Sequence, residues 1–176
     1  MKNQGGKNIV LIGMAGAGKS TLGVLLAKAL GMDFVDTDIL IQQREERLLQ
    51  EIIDHDGIDR FLAVEESVIS ELHLRNSVIA TGGSVVYSQR AMEALREGGT
   101  VIYLYVAYKE VERRVTNITT RGIVIKQGRS LKDAYEERLP LYHRYSDIVI
   151  DCSSRDIEGC VGEMVAKLCE IGAVTT

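Results

Sequence analysis

One glycine-rich stretch constrains this chain more than any other feature of its sequence. Gly13, Gly18, Lys19 and Ser20 fill the pattern G-x-x-x-x-G-K-S/T, which follows the apolar run 9–12 and precedes a segment with helical spacing. In that context the glycines let successive backbone N–H groups curl around an anion, and the start of the helix adds its positive end. The stretch therefore predicts a strand, a loop that binds nucleotide phosphate, and a helix.

The side chains of this loop have predicted roles of their own. We call residues 13–21 the phosphate loop. Lys19 can reach the β- and γ-phosphates of a nucleotide, and the Ser20 hydroxyl can bind Mg²⁺. The nucleotide contacts are predicted to come from Gly16, Ala17, Gly18, Lys19, Ser20 and Thr21. The alternative, a glycine-rich turn without a ligand, leaves the register of Lys19 and Ser20 unexplained. The loop does not identify the group that receives the phosphate.

Length and composition limit the class of protein. A chain of 176 residues with 45% apolar and 26% charged residues is ordinary for one globular domain, which we expect over residues 1–176. The net charge of −4 gives no general reason to expect a nucleic-acid or membrane partner. The apolar run near the N-terminus is too short for a signal peptide or a membrane span.

The cysteines indicate the compartment. Cys152, Cys160 and Cys169 form neither a disulfide framework nor a metal-binding pattern, so we expect reduced thiols and a cytoplasmic protein. The histidines His55, His73 and His143 lack partners at metal or triad spacing, and we interpret them as structural or surface residues. We expect a monomer that acts on a small-molecule substrate.

The remaining pattern alternates apolar runs with segments of helical spacing. Strands are predicted at 9–12, 33–35, 78–80, 101–106 and 148–150. Helices are predicted at 39–51, 59–74, 88–97, 108–116, 130–142 and 157–171. This alternation predicts a parallel sheet covered on both faces, in which ligands bind at the carboxyl ends of the strands. The residues that follow each strand are therefore the candidates for function.

Two carboxylates follow the second predicted strand. Asp36 and Asp38 are one residue apart, so they point to similar sides of an extended chain. One could hold Mg²⁺ through water, and the other could accept a proton from a substrate hydroxyl. The alternative is a helix N-cap, because a helix is predicted from Ile39. After the third strand, Gly82 and Gly83 allow close approach of the backbone to a ligand.

Two later segments carry basic residues. The connection from about 114 to 128 contains Arg114 and Arg121 among hydroxyl and glycine residues, which is typical of a mobile lid; Arg121 would meet the transferring phosphate. The alternative is a solvated loop. Arg138 could face an anionic substrate or pair with Glu136 or Glu137. The only proline, Pro140, is predicted to interrupt its helix near Leu139.

With these motifs placed in order, the chain resembles the shikimate kinases, small P-loop kinases of the nucleoside-monophosphate-kinase-like fold. The motifs that carry the resemblance are residues 13–21, Asp36-Thr37-Asp38, Phe61 with Glu65, Ala80-Thr81-Gly82-Gly83, Arg114 with Arg121, and Arg138-Leu139-Pro140-Leu141-Tyr142. The resemblance implies a three-layer α/β/α fold, with a five-stranded parallel sheet of order 2-3-1-4-5 and a mobile lid.

The resemblance also implies a reaction and a site. ATP with Mg²⁺ would phosphorylate a hydroxyl of a small carboxylate-bearing alcohol, with shikimate as the leading acceptor. Lys19, Asp38 and Arg121 would be catalytic. Ser20 and Asp36 would hold the metal, and Arg114, Arg121 and Arg155 would contact the nucleotide. The substrate would be bound by Asp38, Leu62, Glu65, Gly82, Gly83 and Arg138.

Three positions depart from the family pattern. The family has Arg at position 62, where it pairs with the substrate carboxylate, and this chain has Leu62. A lost charge-assisted hydrogen bond of about 1.5–3 kcal/mol would weaken shikimate binding roughly 10- to 150-fold. Glu65 then lacks its usual partner, and it would pair with Arg60 or a lysine, or bind a substrate ammonium. Ser84 replaces a third glycine, and Gly122 replaces the proline after Arg121, which would loosen the lid.

These departures leave three hypotheses. The leading one is a kinase that phosphorylates shikimate. The second is a kinase for another small hydroxy acid, such as a homoserine-like amino acid, which Leu62 and an unpartnered Glu65 would suit. The third is a nucleotide-binding regulatory protein without transfer activity.

Overall fold

A five-stranded parallel sheet forms the centre of the computed structural model, which describes residues 6–115 and 122–174. The strands are β1 Asn8–Ile12, β2 Asp33–Asp36, β3 Ser77–Ala80, β4 Gly99–Tyr105 and β5 Ile148–Asp151. Their order across the sheet is β2-β3-β1-β4-β5, and all four neighbouring pairs are parallel. The predicted sheet order is confirmed.

Helices connect the strands and flank the sheet. They are α1 Lys19–Leu30, α2 Thr37–Glu45, α3 Leu49–Asp56, α4 Ile58–Ser70, α5 Gln89–Gly98, α6 Tyr108–Arg114, α7 Leu131–Tyr145 and α8 Ile157–Glu170, with a 3₁₀ turn at Val85–Tyr87. Within the described ranges, no helix is both long and apolar enough to cross a membrane.

The central strand β1 explains why the phosphate loop is held rigidly. Every residue of β1 is buried, and β1 pairs with β3 on one side and β4 on the other. Burial on both faces is typical of the middle of a parallel sheet and accounts for the unbroken apolar run. The carboxyl ends of β1, β2 and β3 therefore lie side by side, which brings the residues after each strand to one edge.

A second apolar cluster lies apart from the sheet and supports this edge. It is built from α2, α3, α4 and the segment after residue 121, and its buried members are Ile41, Leu49, Ile52, Phe61, Val64, Val68 and Val124. Leu62 is half-buried and packs against it. Because α4 contributes residues both to this cluster and to the polar site described below, the cluster fixes the position of Glu65.

The helix predicted at 39–51 is two helices. Helix α2 ends at Glu45, Glu46 takes a left-handed conformation with φ of 53°, and α3 begins at Leu49. The turn allows Ile41 of α2 and Ile52 of α3 to be fully buried in the second apolar cluster. Periodicity missed the break because tertiary packing, and not a glycine or proline, causes it.

The predicted interruption at Pro140 is also wrong, because α7 continues through it to Tyr145. Pro140 removes one hydrogen bond to the carbonyl of Glu136, and both residues are exposed, so water can satisfy that carbonyl. Tyr142 and Tyr145, one and two turns after Arg138, are buried, and their burial stabilises the last part of the helix.

Candidate active site

A cavity of about 490 Å³ opens at the carboxyl ends of β1, β2 and β3. Its lining is Ala15, Gly16, Gly18, Lys19, Ser20, Thr21, Asp38, Phe61, Thr81, Gly82, Gly83, Ser84, Arg114, Gly122, Ile123, Val124 and Arg138. The phosphate loop, the residues after β2 and β3, and α7 therefore meet at one site, as the predicted sheet edge requires.

The backbone of the phosphate loop requires glycine at two positions. Gly13 has φ of +148°, and a Cβ there would lie 2.7 Å from the carbonyl oxygen of Leu104. Gly16 has φ of +79°, and a Cβ would lie 3.0 Å from Val115. Helix α1 begins directly after the left-handed Gly18, so its unpaired N–H groups open into the cavity. This is the geometry that favours an anion at a helix start.

Lys19 is a buried cation at the base of the cavity. Its Nζ donates hydrogen bonds to the carbonyl oxygens of Gly13 at 2.7 Å and Met14 at 2.8 Å. Burial lowers the pKa of Lys19 to about 8, and the negative charges of Asp38 and Asp36 partly offset that effect. The ammonium group thus donates its hydrogen bonds to uncharged carbonyl oxygens, and it can exchange these partners for an anionic ligand.

Asp36 joins the phosphate loop to α2. Its Oδ2 accepts a hydrogen bond from the Ser20 hydroxyl at 2.6 Å, and its Oδ1 accepts one from the backbone N–H of Asp38 at 3.0 Å. Asp36 is therefore the N-cap of α2, which confirms the alternative interpretation, and it also contacts Ser20, while its metal-binding role stays a prediction. A hydroxyl and a carboxylate side by side suit Mg²⁺, which prefers oxygen ligands.

Asp38 is a half-buried residue whose carboxylate lines the cavity with Lys19. Its Oδ1 is buried and has no hydrogen-bond partner among the described residues. Burial, together with the negative charge of Asp36, raises the pKa of Asp38 to about 6, while Lys19 opposes the increase. The side chain can therefore accept a hydrogen bond or a proton from a group that enters the cavity near neutral pH.

Glu65 lies just behind the cavity wall. It is 1% exposed, and its Oε2 accepts a hydrogen bond from the Ser84 hydroxyl at 2.8 Å. Its Oε1 has no partner in the described part of the chain. Burial raises the pKa of Glu65 to about 8, against the opposing effect of the Ser84 hydrogen bond. The expected pairing with Arg60 is wrong, because the nearest carboxylate to Arg60 is Glu45, at 3.9 Å.

Arg138 is a fully buried guanidinium that lines the cavity from α7. Its Nε donates to the Tyr87 hydroxyl at 3.0 Å, a terminal nitrogen donates to the carbonyl of Val124, and the group lies 5.0 Å from the Tyr87 ring centre. None of these partners is charged. Glu137 pairs with Lys126 and Glu136 with Lys132, so the alternative of a surface ion pair is wrong. A buried cation without a carboxylate partner favours an anionic ligand.

The glycines after β3 lie between these charged groups. A Cβ on Gly82 would come within 2.5 Å of Glu65 Oε1 and 3.0 Å of Asp38 Oδ1. A Cβ on Gly83 would meet the backbone nitrogen of Ala15 and a terminal nitrogen of Arg138, each at 3.4 Å. The carbonyl of Gly83 accepts a hydrogen bond from Tyr142 at 2.6 Å, which ties this turn to α7.

Leu62 lies away from these charged groups. Its side chain packs against the second apolar cluster, and the described cavity wall does not include it. The neighbouring Phe61 does line the cavity and is buried. The geometry therefore gives no support to a substrate contact by Leu62. The cation that an arginine at position 62 would offer to a substrate carboxylate is absent from the described wall.

A second cavity of about 260 Å³ adjoins the other side of the phosphate loop. Arg114 lines both cavities and donates to the carbonyls of Gly16 at 3.3 Å and Cys152 at 3.2 Å. Arg155 lines the second cavity and pairs with Glu163 at 2.6 Å. Both arginines thus lie beside the phosphate loop, and their contact with a nucleotide stays a prediction.

Sequence reasoning missed several residues that complete the two cavities. Asp156 and Ile157 line the second cavity with Cys152 and Cys160, which are free cysteines. They follow β5, so the rule that function lies after each strand could have found them. Tyr87 orients Arg138 through a contact 51 residues away, for which the sequence contains no signal.

The lid is only partly within the described residues. Arg121 lies outside them, so its predicted contact with phosphate stays a prediction. Gly122 has φ of +63°, packs against Leu49 and donates its N–H to Gln50 at 3.2 Å. A proline could not take that backbone angle, because its ring fixes φ near −65°. The departure at position 122 therefore permits a conformation that the family residue forbids.

Comparisons with known proteins agree with this geometry. A family model described as shikimate kinase matches residues 15–169. The shikimate kinase of Rhodococcus erythropolis is 40% identical over 164 residues, which cover 90% of this chain and 95% of the relative. That of Bacillus mycoides is 31% identical and covers 93% and 99%. The structure of shikimate kinase from Acinetobacter baumannii in complex with shikimate superposes with a TM-score of 0.87 at 27% identity, covering 94% of each chain.

Proposed function

The chain belongs to the shikimate kinase family, and we propose on this premise that it transfers the γ-phosphoryl group of ATP to a hydroxyl of shikimate. The products are shikimate 3-phosphate and ADP, and the reaction belongs to the biosynthesis of aromatic amino acids. Relatives of similar length carry the name of this activity, and the bound ligand of one superposed structure is shikimate.

One observation carries the proposal: Lys19, Asp38 and Arg138 line a single cavity. A cation beside the phosphate loop, a carboxylate with an unpartnered oxygen and a buried guanidinium are the groups needed to hold phosphate, a hydroxyl and a carboxylate, respectively. An acceptor with both a hydroxyl and a carboxylate would satisfy Asp38 and Arg138 at the same time. Shikimate is such an acceptor.

In the proposed reaction the chain mainly positions and balances charge. The N–H groups of residues 16–21 bind the phosphates, and Lys19 exchanges its carbonyl partners for the β- and γ-phosphates. Ser20 and Asp36 would hold Mg²⁺, which when bound neutralises phosphate charge. Asp38 orients the acceptor hydroxyl and takes its proton as the phosphoryl group arrives.

Other residues have supporting roles in this proposal. Arg138 and the backbone of Gly82 and Gly83 bind the acceptor, and Arg114 and Arg155 lie around the adenine. Arg121, from the lid, would balance charge on the transferring phosphate. Gly83 lies near both Arg138 and the phosphate loop, so a bound acceptor would reach the γ-phosphate across this glycine.

The test is ADP release from Mg-ATP with shikimate as acceptor. We expect turnover with a shikimate KM in the micromolar to millimolar range. Lys19→Met should reduce kcat by about 10³-fold, because it removes charge stabilisation of the phosphates. Lys28→Met, in the last turn of the same helix, is the matched control and should leave kcat unchanged. ATP binding without turnover of any acceptor would contradict the proposal and favour a regulatory protein.

A specific observation favours a second candidate, an amino-bearing hydroxy acid such as a homoserine-like compound. Glu65 Oε1 is buried without a partner in the described chain, and position 62 supplies no cation. An ammonium group could neutralise Glu65 while Arg138 holds the carboxylate of the same molecule. Turnover of such acceptors without turnover of shikimate would favour this candidate.

A further inference from the structure

The acceptor end of the cavity contains a polar pair that the phosphoryl-transfer chemistry does not use. Ser84 lines the cavity at 4% exposure, and its hydroxyl donates to Glu65 behind it. We propose that the Ser84–Glu65 pair is a second acceptor-binding subsite, which recognises a hydrogen-bond donor on the acceptor. The inference rests on the proposed function, because it concerns the acceptor of the same reaction.

The direction of the Ser84 hydrogen bond determines what the subsite can bind. A serine hydroxyl has one hydrogen and two acceptor lone pairs. Because the hydrogen is donated to Glu65 Oε2 at 2.8 Å, only lone pairs of Ser84 Oγ remain for a ligand in the cavity. A ligand group beside Ser84 must therefore be a donor, such as a hydroxyl or an ammonium.

The free oxygen of Glu65 reinforces this preference. Oε1 and the free oxygen of Asp38 both approach the position that a Cβ on Gly82 would occupy, at 2.5 and 3.0 Å. Gly82 lines the cavity, and its lack of a side chain leaves room beside these two unpartnered oxygens. Burial without a partner disfavours the ionised form of Glu65 and raises its pKa to about 8, so a donor from the ligand would stabilise the carboxylate.

The nearby cations donate no hydrogen bond to the pair among the described residues, although the charges of Arg138 and Lys19 partly oppose the increase in the pKa of Glu65. Lys19 donates to the carbonyls of the phosphate loop, and Arg138 donates to Tyr87 and Val124. Arg60 faces Glu45. The cavity therefore has a cationic wall at Arg138 and a wall of acceptor groups at Asp38 and the Ser84–Glu65 pair. A carboxylate belongs at the first wall, and hydroxyl or amino groups belong at the second.

The experiment compares wild type with Ser84→Ala, using shikimate and a set of analogues that each lack one hydroxyl. We expect Ser84→Ala to raise the acceptor KM about 10-fold, with kcat and the ATP KM unchanged within about 2-fold. With wild type, one deoxy analogue should lose about 10-fold in kcat/KM. With Ser84→Ala that analogue should lose nothing further, because the recognised group and its partner are both gone.

The chain offers a matched control pair between the same structural elements. Glu66, next to Glu65 on α4, accepts a hydrogen bond from Ser88 at 2.6 Å, and neither residue lines the cavity described above. Glu66→Gln should leave the analogue pattern unchanged, whereas Glu65→Gln should raise the acceptor KM. Thermal unfolding shows whether each variant folds, and Ser84→Gly replaces Ser84→Ala if the latter does not.

The outcomes separate this inference from the proposed function. Suppose that Ser84→Ala phosphorylates shikimate but loses the same factor in kcat/KM for every deoxy analogue. That result would overturn the subsite and leave the proposed function intact. Turnover of an amino-bearing hydroxy acid alone, with a KM sensitive to Ser84→Ala, would support the subsite and overturn shikimate as acceptor. If Ser84→Ala changes no acceptor KM, or no acceptor is phosphorylated, the subsite is refuted.

Discussion

The two ends of the cavity are built in different ways. The phosphate end comes mainly from consecutive residues 13–21, joined by Asp36, which accepts a hydrogen bond from Ser20, and by Arg114, which donates to the carbonyl of Gly16. The acceptor end is assembled from α2, α4, the turn after β3, and α7, whose contributions Asp38, Glu65, Ser84 and Arg138 are far apart in the chain. Of the departures from the family pattern, Ser84 lines the cavity at this end, and Leu62 lies one turn before Glu65 without lining it.

This difference has a physical reason. The phosphate loop binds through backbone N–H groups and a helix start, so most of its geometry is encoded by glycines at required φ angles. The acceptor end binds through side chains, which can be exchanged in compensating pairs without changing the fold. Leu62 removes a cation near Glu65, and Ser84 gives Glu65 a neutral partner in its place. Substrate recognition can therefore vary while nucleotide binding is retained.

The largest test of the comparison is Asp38→Asn, which alters the residue where the two ends meet. We expect kcat to fall by about 10²- to 10⁴-fold, because the variant keeps the shape but loses the proton acceptor. In wild type, kcat/KM should decline below pH 6 as Asp38 is protonated and above pH 8 as Lys19 loses its proton. A pH profile of initial rates measures both limbs.

The variant should lose the acidic limb of that profile and keep the alkaline one. Asp33→Asn, at the exposed start of β2, the strand that precedes α2, is the control and should retain the wild-type profile. A wild-type profile that is flat between pH 5 and 7 would assign the proton to another group and separate Asp38 from the chemistry.

The same contrast explains how much could be predicted from the sequence. Strand positions and the phosphate loop were predictable because they depend on local patterns, namely buried β-branched runs and a glycine-lysine motif, whereas the sheet order followed only from the family resemblance. The break between α2 and α3 and the continuity of α7 through Pro140 were not, because packing of Ile41, Ile52 and Tyr142 overrides local preference. The partner of Glu65 could not be predicted either, since Ser84 is 19 residues away on another element.

A smaller effect tests whether the acceptor end has lost affinity or changed specificity. Leu62→Arg restores the family residue one turn before Glu65, whose free oxygen could pair with it. We expect the shikimate KM to fall about 10-fold, the lower limit for a charge-assisted hydrogen bond, with the ATP KM unchanged. Steady-state rates with each substrate varied in turn measure the two constants.

The control for Leu62→Arg is Leu62→Met, which keeps the apolar packing against the second cluster and adds no charge. If Leu62→Arg gives no gain while Leu62→Met is neutral, Arg138 already holds the carboxylate alone. The acceptor end would then bind its substrate carboxylate with a single cation. The departure from the family would be a change of substrate specificity and not a loss of affinity.

The smallest effect concerns stability, for which the two ends have opposite pH dependence. Burial raises the pKa of Glu65 from 4.5 to about 8, so its contribution to the free energy of unfolding is present below pH 4.5 and lost by pH 8. Burial lowers the pKa of Lys19 from 10.5 to about 8, so folding favours its neutral form and stability increases between pH 8 and 10.5. The charges of Asp38 and Arg138 also act on Glu65, and both residues are the same in wild type and in Glu65→Gln.

Glu65→Gln should isolate the acceptor-end contribution, because glutamine has nearly the same shape and cannot ionise. At about pH 3.5, a unit below the unfolded pKa, the Tm values of the variant and wild type should agree, since Glu65 is then mostly protonated in both the folded and unfolded wild type. At pH 8.5 the variant should melt higher by about 5 °C, since wild type must then ionise a buried carboxyl. Glu66→Gln, whose side chain is more exposed, should show no such divergence. If the difference in Tm between Glu65→Gln and wild type is the same at both pH values, Glu65 already has a charged partner. The acceptor wall would then be neutralised as in the family.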